Sequence, residues 1–258
     1  VAARPRRFSA TEIDDWISDP YSIYAKRILN LRPLADIDRA PDAALRGNIV
    51  HDALAAFVKE YPEGPLPDDA LSQLRQFGRT YFEPFWQIPS VRVFWWPAFE
   101  LLSSWFVETE RRRRADLARA HVEIDGKLAI AAPAGRAEIK ARADRIDQLA
   151  DGGLAILDYK TGSVPKPADV EAGRRTQLLT EAVIAAYGGF DAIAGDDIAA
   201  MQYWKLAGRR GEAGLIVDVM PDGWDVAAAH DNLAALVASF DDPDMSYASL
   251  PDPSTRLP

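Results

Sequence analysis

The stretch Leu154-Ala155-Ile156-Leu157-Asp158-Tyr159-Lys160-Thr161-Gly162 decides the fold. Four apolar residues, bounded by Gly152 and Gly153 before them and by Gly162 after, read as a short buried strand. Asp158 and Lys160 close it. Side chains alternate faces along a strand, so residues two apart point the same way and the carboxylate stands beside the ammonium. Such a pair can hold a divalent metal and a phosphate or water together. The same spacing also describes a plain salt pair at a strand end, so its meaning rests on its neighbours.

Outward from this strand, residues 139–149 alternate and carry Asp144, and Asp151, Gly152 and Gly153 supply turn chemistry. The two segments read as a hairpin that returns Asp144 toward Asp158, and register decides whether they meet. An even connection, such as residues 150–153, sets Asp144 against Tyr159 and turns it away from Asp158. An odd connection, such as residues 150–152 with Gly152 in the left-handed position, brings both carboxylates and Lys160 to one side of the sheet. A bulge in either strand does the same. The odd or bulged geometry is the expected one. Downstream, Gly162-Ser163-Val164-Pro165 is a loop, and a helical stretch from about Asp169 carries Gln177 and Glu181 one turn apart. Upstream, Arg46-Gly47-Asn48-Ile49-Val50-His51 belongs to a helix over residues 43–59.

Gly47-x3-His51, Ala143-Asp144-Arg145-Ile146-Asp147, the strand from Ile156 to Gly162 and Gln177-Leu178 follow one another in the order and spacing of known motifs. In these the chain resembles the RecB-like nucleases, a branch of the PD-(D/E)xK superfamily. Within that branch it looks most like the C-terminal nuclease domain of the AddB helicase-nuclease subunit. The resemblance covers about residues 8–206. It implies an α/β (α+β) fold, with a restriction-endonuclease-like mixed central sheet flanked by helices and an N-terminal helical region. It implies a Mg²⁺-dependent deoxyribonuclease, an exonuclease hydrolysing phosphodiester bonds in double-strand-break repair and recombination, with Mn²⁺ able to substitute. Asp144, Asp158, Lys160 and Gln177 are then the catalytic set. His51, Asp144, Asp158 and the main-chain carbonyl of Tyr159 are the metal ligands. Glu123 and Glu181 are additional candidates, Glu181 standing where the family usually carries Tyr. Tyr21, Tyr24, Arg145, Arg174 and Arg175 are candidates for contact with DNA. The implied partners are DNA and a helicase-nuclease partner subunit. Two other readings stay open: a catalytically weak module serving DNA tracking or subunit assembly, and a metal-dependent hydrolase of something other than DNA.

Composition sets outer limits. At 258 residues, 48% hydrophobic and 27% charged, the chain can bury a substantial core. The expected parts are a mainly helical region over 1–120 with the Gly-x3-His motif, a nuclease core over 121–240 and a Pro-rich tail over 241–258. The absence of a long apolar run and of a charged-then-apolar leader predicts no membrane span and a cytoplasmic protein. The start at Val1 and the lack of a Gly-x4-Gly-Lys-Ser/Thr loop fit a fragment of a longer protein. Zero Cys excludes disulfides, thiolate zinc and the iron–sulfur cluster that some relatives carry.

A net charge of −9 argues against a protein that coats nucleic acid. Basic residues nevertheless gather beside the motifs, at Lys140, Arg142 and Arg145 and at Arg174 and Arg175. The run Arg111 to Arg114 reads as a solvated face. Trp86, Trp95, Trp96, Phe99, Trp105 and Phe106 read as the packing of a helical layer, with stacking on unpaired bases as the alternative. Ser9 and Glu12 form a capping box opening a helix with Ile13, Trp16 and Ile17 on its apolar stripe. Beyond residue 120 the pattern turns to strands at 121–124, 127–131, 199–206 and 215–219, with a closing helix at 226–240.

Overall fold

Leu154 and Ile156 of β4 (Leu154–Lys160) pack into one apolar core, while Ala155, Leu157 and Tyr159 pack into a second. A strand buried on both faces belongs inside a sheet covered on both sides. That is its place in the computed structural model, which describes residues 4–32, 42–191, 193, 195 and 197–249. The end of the Pro-rich tail, from residue 250, lies outside the described residues.

Six strands among the described residues form a mixed sheet. β1 (Arg7–Ser9) is parallel to β3 (Ala137–Leu149), and β2 (Leu117–Ile130) is antiparallel to β3 along nearly its whole length. β4 is antiparallel to β3, β5 (Ile198–Lys205) is parallel to β4, and β6 (Leu215–Asp218) is antiparallel to β5. Because β2 takes one edge of β3, β1 and β4 share the other. β1 meets residues 138–140 and β4 meets residues 145–148, so Asp144 falls in the gap between them.

Helices α1 (Ala10–Ser18), α7 (Gln177–Ala186) and α8 (Val226–Ser239) pack against the core that holds Ile156. α3 (Ala43–Glu60), α4 (Ala70–Phe82) and α5 (Trp96–Arg113) pack against the core that holds Leu157. The architecture is the mixed sheet flanked by helices that the sequence implied. Within the N-terminal third, β1 is a sheet strand and α3 to α5 line one face of the sheet. The capping box at α1 is present, with Glu12 N–H donating to Ser9 Oγ at 3.1 Å and Ser9 N–H donating to Glu12 Oε2 at 2.9 Å. Burial opposes the Glu12 charge, but Arg27, the Ser9 N–H and Lys26 outweigh it and lower its pKa to about 2. Residues 121–124 and 127–131, expected as two strands, fall on the single strand β2 up to its end at Ile130, because β3 pairs along both. Trp96, Phe99 and Phe106 are buried, in agreement with a helical packing layer.

Two arginine expectations are corrected here. Arg145, a candidate for contact with DNA, is fully buried and holds the sheet to α5. Its Nη1 lies 2.6 Å from Glu110 Oε1, its Nε lies 2.6 Å from Asp147 Oδ1, and its guanidinium sits over the Trp204 ring. Arg113 and Arg114, expected on a solvated face, complete this network: Arg113 Nη2 is 2.9 Å from Asp147 and Arg114 Nη2 is 3.5 Å from Glu110. A buried carboxylate needs paired cations, and β3 and α5 supply both halves. Their positions in sequence lie too far apart to reveal it. Replacing Arg145→Met leaves Glu110 and Asp147 short of positive charge and is expected to lower stability by about 3–5 kcal/mol. Urea denaturation checks this, and a loss below about 1 kcal/mol, the level of an exposed pair, refutes the assigned role.

Candidate active site

Four residues, 150–153, lie between the end of β3 and the start of β4, but the ladder pairs Gln148 with Leu154 and Leu149 bonds Gly153, which leaves a three-residue turn, 150–152; in it Gly152 takes the left-handed conformation at φ 96° that a side chain would strain. Gly152 N–H donates to Leu149 O at 3.0 Å and Leu149 N–H donates to Gly153 O at 2.8 Å, which starts the ladder. Pairing then runs from Gln148–Leu154 to Arg145–Leu157, and the next step sets Asp144 opposite Asp158. The turn is odd, as the shared-face reading required. Beyond Arg145 the strands open, and Tyr159 N–H donates to Asp144 Oδ2 at 2.8 Å.

Lys160 Nζ donates to Asp158 Oδ1 at 2.9 Å and lies 2.7 Å from Asp158 Oδ2. From α7, Gln177 Nε2 donates to Asp158 Oδ1 at 2.7 Å and to Glu181 Oε1 at 3.1 Å, tying the helix to the strand end. The start of α7 is itself held by α1, because Asp14 Oδ1 accepts from both the Thr176 N–H and the Thr176 hydroxyl. On the far side, α3 brings His51 Nδ1 to 3.5 Å from Asp144 Oδ2. Gly47 makes this approach feasible: a Cβ there would lie 3.0 Å from Thr161 Oγ1.

Electrostatics sets the acids apart. Burial pushes Asp158 up to about 6, with the Asp144 charge adding to it and Lys160 opposing. Glu181 is pushed well up by burial and then by the Asp158 charge. Asp144 moves the other way, because the His51 bond and charge and the Tyr159 N–H outweigh its burial. His51 is raised, since Asp144 and Asp158 overcome its desolvation. Asp158 Oδ2 and Glu181 Oε2 are both buried with no aligned hydrogen-bond donor. Buried acceptors of this kind suit a cation. Among the described residues no three His, Asp or Glu groups stand at ligating distance of one point.

The structure thus brings together His51, Asp144, Asp158, Tyr159, Lys160, Gln177 and Glu181. It does not bring in Glu123. That residue faces Asp144 across β2 and β3, but its backbone is left-handed at φ 52° and its carboxylate pairs with Arg142 Nε at 2.7 Å. Arg175 lines a groove of about 390 Å³ with Lys160, Gln177 and Ser163. Arg174 instead pairs with Asp169 at 2.6 Å. Tyr21 and Tyr24 pack on each other, and Tyr24 on Tyr247. Sequence reasoning missed Asp14, which acts 162 positions away from Thr176 and carries no local signal.

A family model described as the PD-(D/E)XK nuclease superfamily matches residues 7–251. An uncharacterized protein of Rickettsia bellii is 30% identical over 187 residues, covering 72% of this chain and 22% of its own length. One from Rickettsia conorii is 29% identical over 198 residues, covering 72% and 23%. A subunit of the ATP-dependent helicase/deoxyribonuclease of Streptococcus pyogenes serotype M49 is 29% identical over 164 residues, covering 62% of this chain and 14% of the relative. The chain spans less than a quarter of the length of these curated relatives. Among solved structures, it is similar to the crystal structure of SSO0001 with a TM-score of 0.29 and 14% identity, covering 74% of this chain and 73% of that one.

The electrostatics carries a stability consequence. The Asp158 pKa is raised from 3.8 to about 6, so folding disfavours its ionised form. The penalty is absent below the unfolded pKa, grows as pH rises through that interval and is full above it. In EDTA at pH 8, Asp158→Asn is expected to be more stable than wild type by on the order of 3 kcal/mol, the gain fading by pH 4. Chemical denaturation at the two pH values tests it. A variant no more stable than wild type at pH 8 contradicts the assigned strain.

Proposed function

The chain belongs to the PD-(D/E)XK nuclease superfamily, and from that premise we propose that it is the metal-dependent DNA-cutting part of a longer helicase-nuclease. It would act as an exonuclease in double-strand-break processing alongside a partner subunit. One observation carries the reading: the Asp158, Lys160 and Gln177 side chains are joined by hydrogen bonds and face Asp144 and His51 across the open end of β3 and β4. The helicase setting is supported by the likeness to the Streptococcus pyogenes helicase/deoxyribonuclease.

Asp144 and Asp158 would hold a divalent ion, with the Tyr159 carbonyl and His51 as further donors. When bound, such an ion makes a water more acidic and relieves charge on the phosphate. Lys160 presents its ammonium at the same spot, where negative charge develops as the phosphodiester is attacked. Gln177 holds the Asp158 carboxylate in one orientation and spans it to Glu181. His51 has a raised pKa and turns its Nδ1 toward Asp144 Oδ2 at 3.5 Å. To serve as a ligand it must give up a proton.

A second reading, a weakly active module for DNA tracking or assembly, is favoured by Glu181, whose buried carboxylate stands where the resemblance leads one to expect Tyr. An end-labelled linear duplex and single strand, with a closed circle as control, separate the two. Wild type is expected to degrade the linear forms in Mg²⁺ or Mn²⁺ and not in EDTA. Lys160→Ala and Asp158→Ala should each lose about 100-fold or more. Full activity in either variant, or none in wild type while the folded chain still binds DNA, removes the nuclease assignment.

A further inference from the structure

Just past the catalytic strand, a second set of charges gathers that no step above uses. Arg46 sits at the start of α3, one position before Gly47, half-buried, and its Nη2 donates to Thr161 O at 3.3 Å. It makes no ion pair with any acid among the described residues. Across from it runs the turn between β5 and β6. Lys205 is opposite Lys160 in the β4–β5 ladder, and Leu206 N–H donates to Lys160 O at 2.8 Å, so the turn leaves the sheet beside Thr161. The turn reads Leu206-Ala207-Gly208-Arg209-Arg210-Gly211-Glu212-Ala213-Gly214, with Arg209 and Arg210 exposed. Its single acid, Glu212, is taken by Lys205 Nζ at 2.6 Å.

Burial lowers the Arg46 pKa, and the nearby charge of Arg209 lowers it further. The two guanidinium groups stand near enough for their like charges to repel, both at the Thr161 end of β4, in a chain whose acids outnumber its bases by 39 to 30. An unpaired, half-buried guanidinium is costly to keep, and an anion seated between the two would relieve both the desolvation and the repulsion. Guanidinium groups suit phosphate oxygens because they donate two parallel hydrogen bonds.

We infer that Arg46 and Arg209 form a phosphate subsite that grips the nucleic-acid backbone next to the phosphate at Lys160. The inference rests on the nuclease reading and adds to it where the strand lies: over the Thr161 end of β4, between the start of α3 and the β5–β6 turn. Arg46 and Arg209 are positioning residues here, since neither touches the reacting atoms.

Fluorescence anisotropy with a labelled oligonucleotide in EDTA, across a range of salt, tests it on wild type, Arg46→Gln, Arg209→Gln and the double variant. Each single variant should weaken binding about tenfold. The double variant should lower the salt slope by about 0.7–0.9, the value for one lost phosphate. In Mn²⁺ the same variants should raise KM and leave kcat within about twofold. Arg209 is exposed, so Arg209→Gln decides the matter if Arg46→Gln does not fold. Arg46→Lys, which keeps the charge, should recover part of the affinity. A wild type that neither binds nor cuts the oligonucleotide removes the nuclease reading and the subsite together. A wild type that cuts normally, with variants matching its affinity, salt slope and KM, overturns the subsite alone.

Discussion

The three-residue turn, 150–152, closed by the Leu149–Gly153 bond between β3 and β4, is the constraint from which the candidate site follows. With Gly152 in the left-handed region, the ladder starts at Leu149 and Gly153 and carries Asp144 to the position opposite Asp158. One residue more or less would send Asp144 to the other face, because side chains alternate with a period of two. β1 and β4 then divide the free edge of β3 between them. Asp144 is left in the gap with its carboxylate on the Tyr159 N–H, and the strand end is open to α3 and α7.

The two charged clusters of the protein sit on opposite faces of β3 and obey opposite rules. Arg145, Glu110, Asp147, Arg113 and Arg114 lie in the core between the sheet and α5, with cations and carboxylates matched. Such a network contributes orientation more than net stability, since desolvation offsets most of the attraction. Asp144, Asp158 and Glu181 are not matched in this way. Lys160 and His51 balance two of the three, and two buried carboxylate oxygens keep no aligned donor. The second cluster is strained as it stands, and strain of this kind concentrates where a ligand is taken up.

The acidic balance of the chain is compatible with a nucleic-acid reading once charge is mapped onto the fold. Arg145, beside a motif in sequence, is buried, while Arg175 lines the groove that holds Lys160 and Arg46 stands at the base of Thr161. Local positive potential around a strand end governs where a phosphate settles, and net charge governs only the far field.

The sequence by itself determined the parts that depend on neighbours within a few residues. Alternation and flanking glycines located β3 and β4, helical spacing located α3, and the Ser9–Glu12 box located the start of α1. It also placed Asp158 beside Lys160 and narrowed the Asp144 register to a choice of parity. Only the tertiary structure settled that parity, because Asp151, Gly152 and Gly153 admit more than one turn. Only the tertiary structure separated Arg145 from Arg175, or Glu123 from Glu181, because local sequence does not encode which face of an element meets solvent and which meets another helix. Arg145 reads as a basic residue beside a motif until α5 delivers Glu110 to it, and nothing beside Asp14 in sequence foretells its bonds to Thr176. These pairings join residues more than 30 positions apart, and their free energy comes from excluding water between packed elements, which no local pattern records.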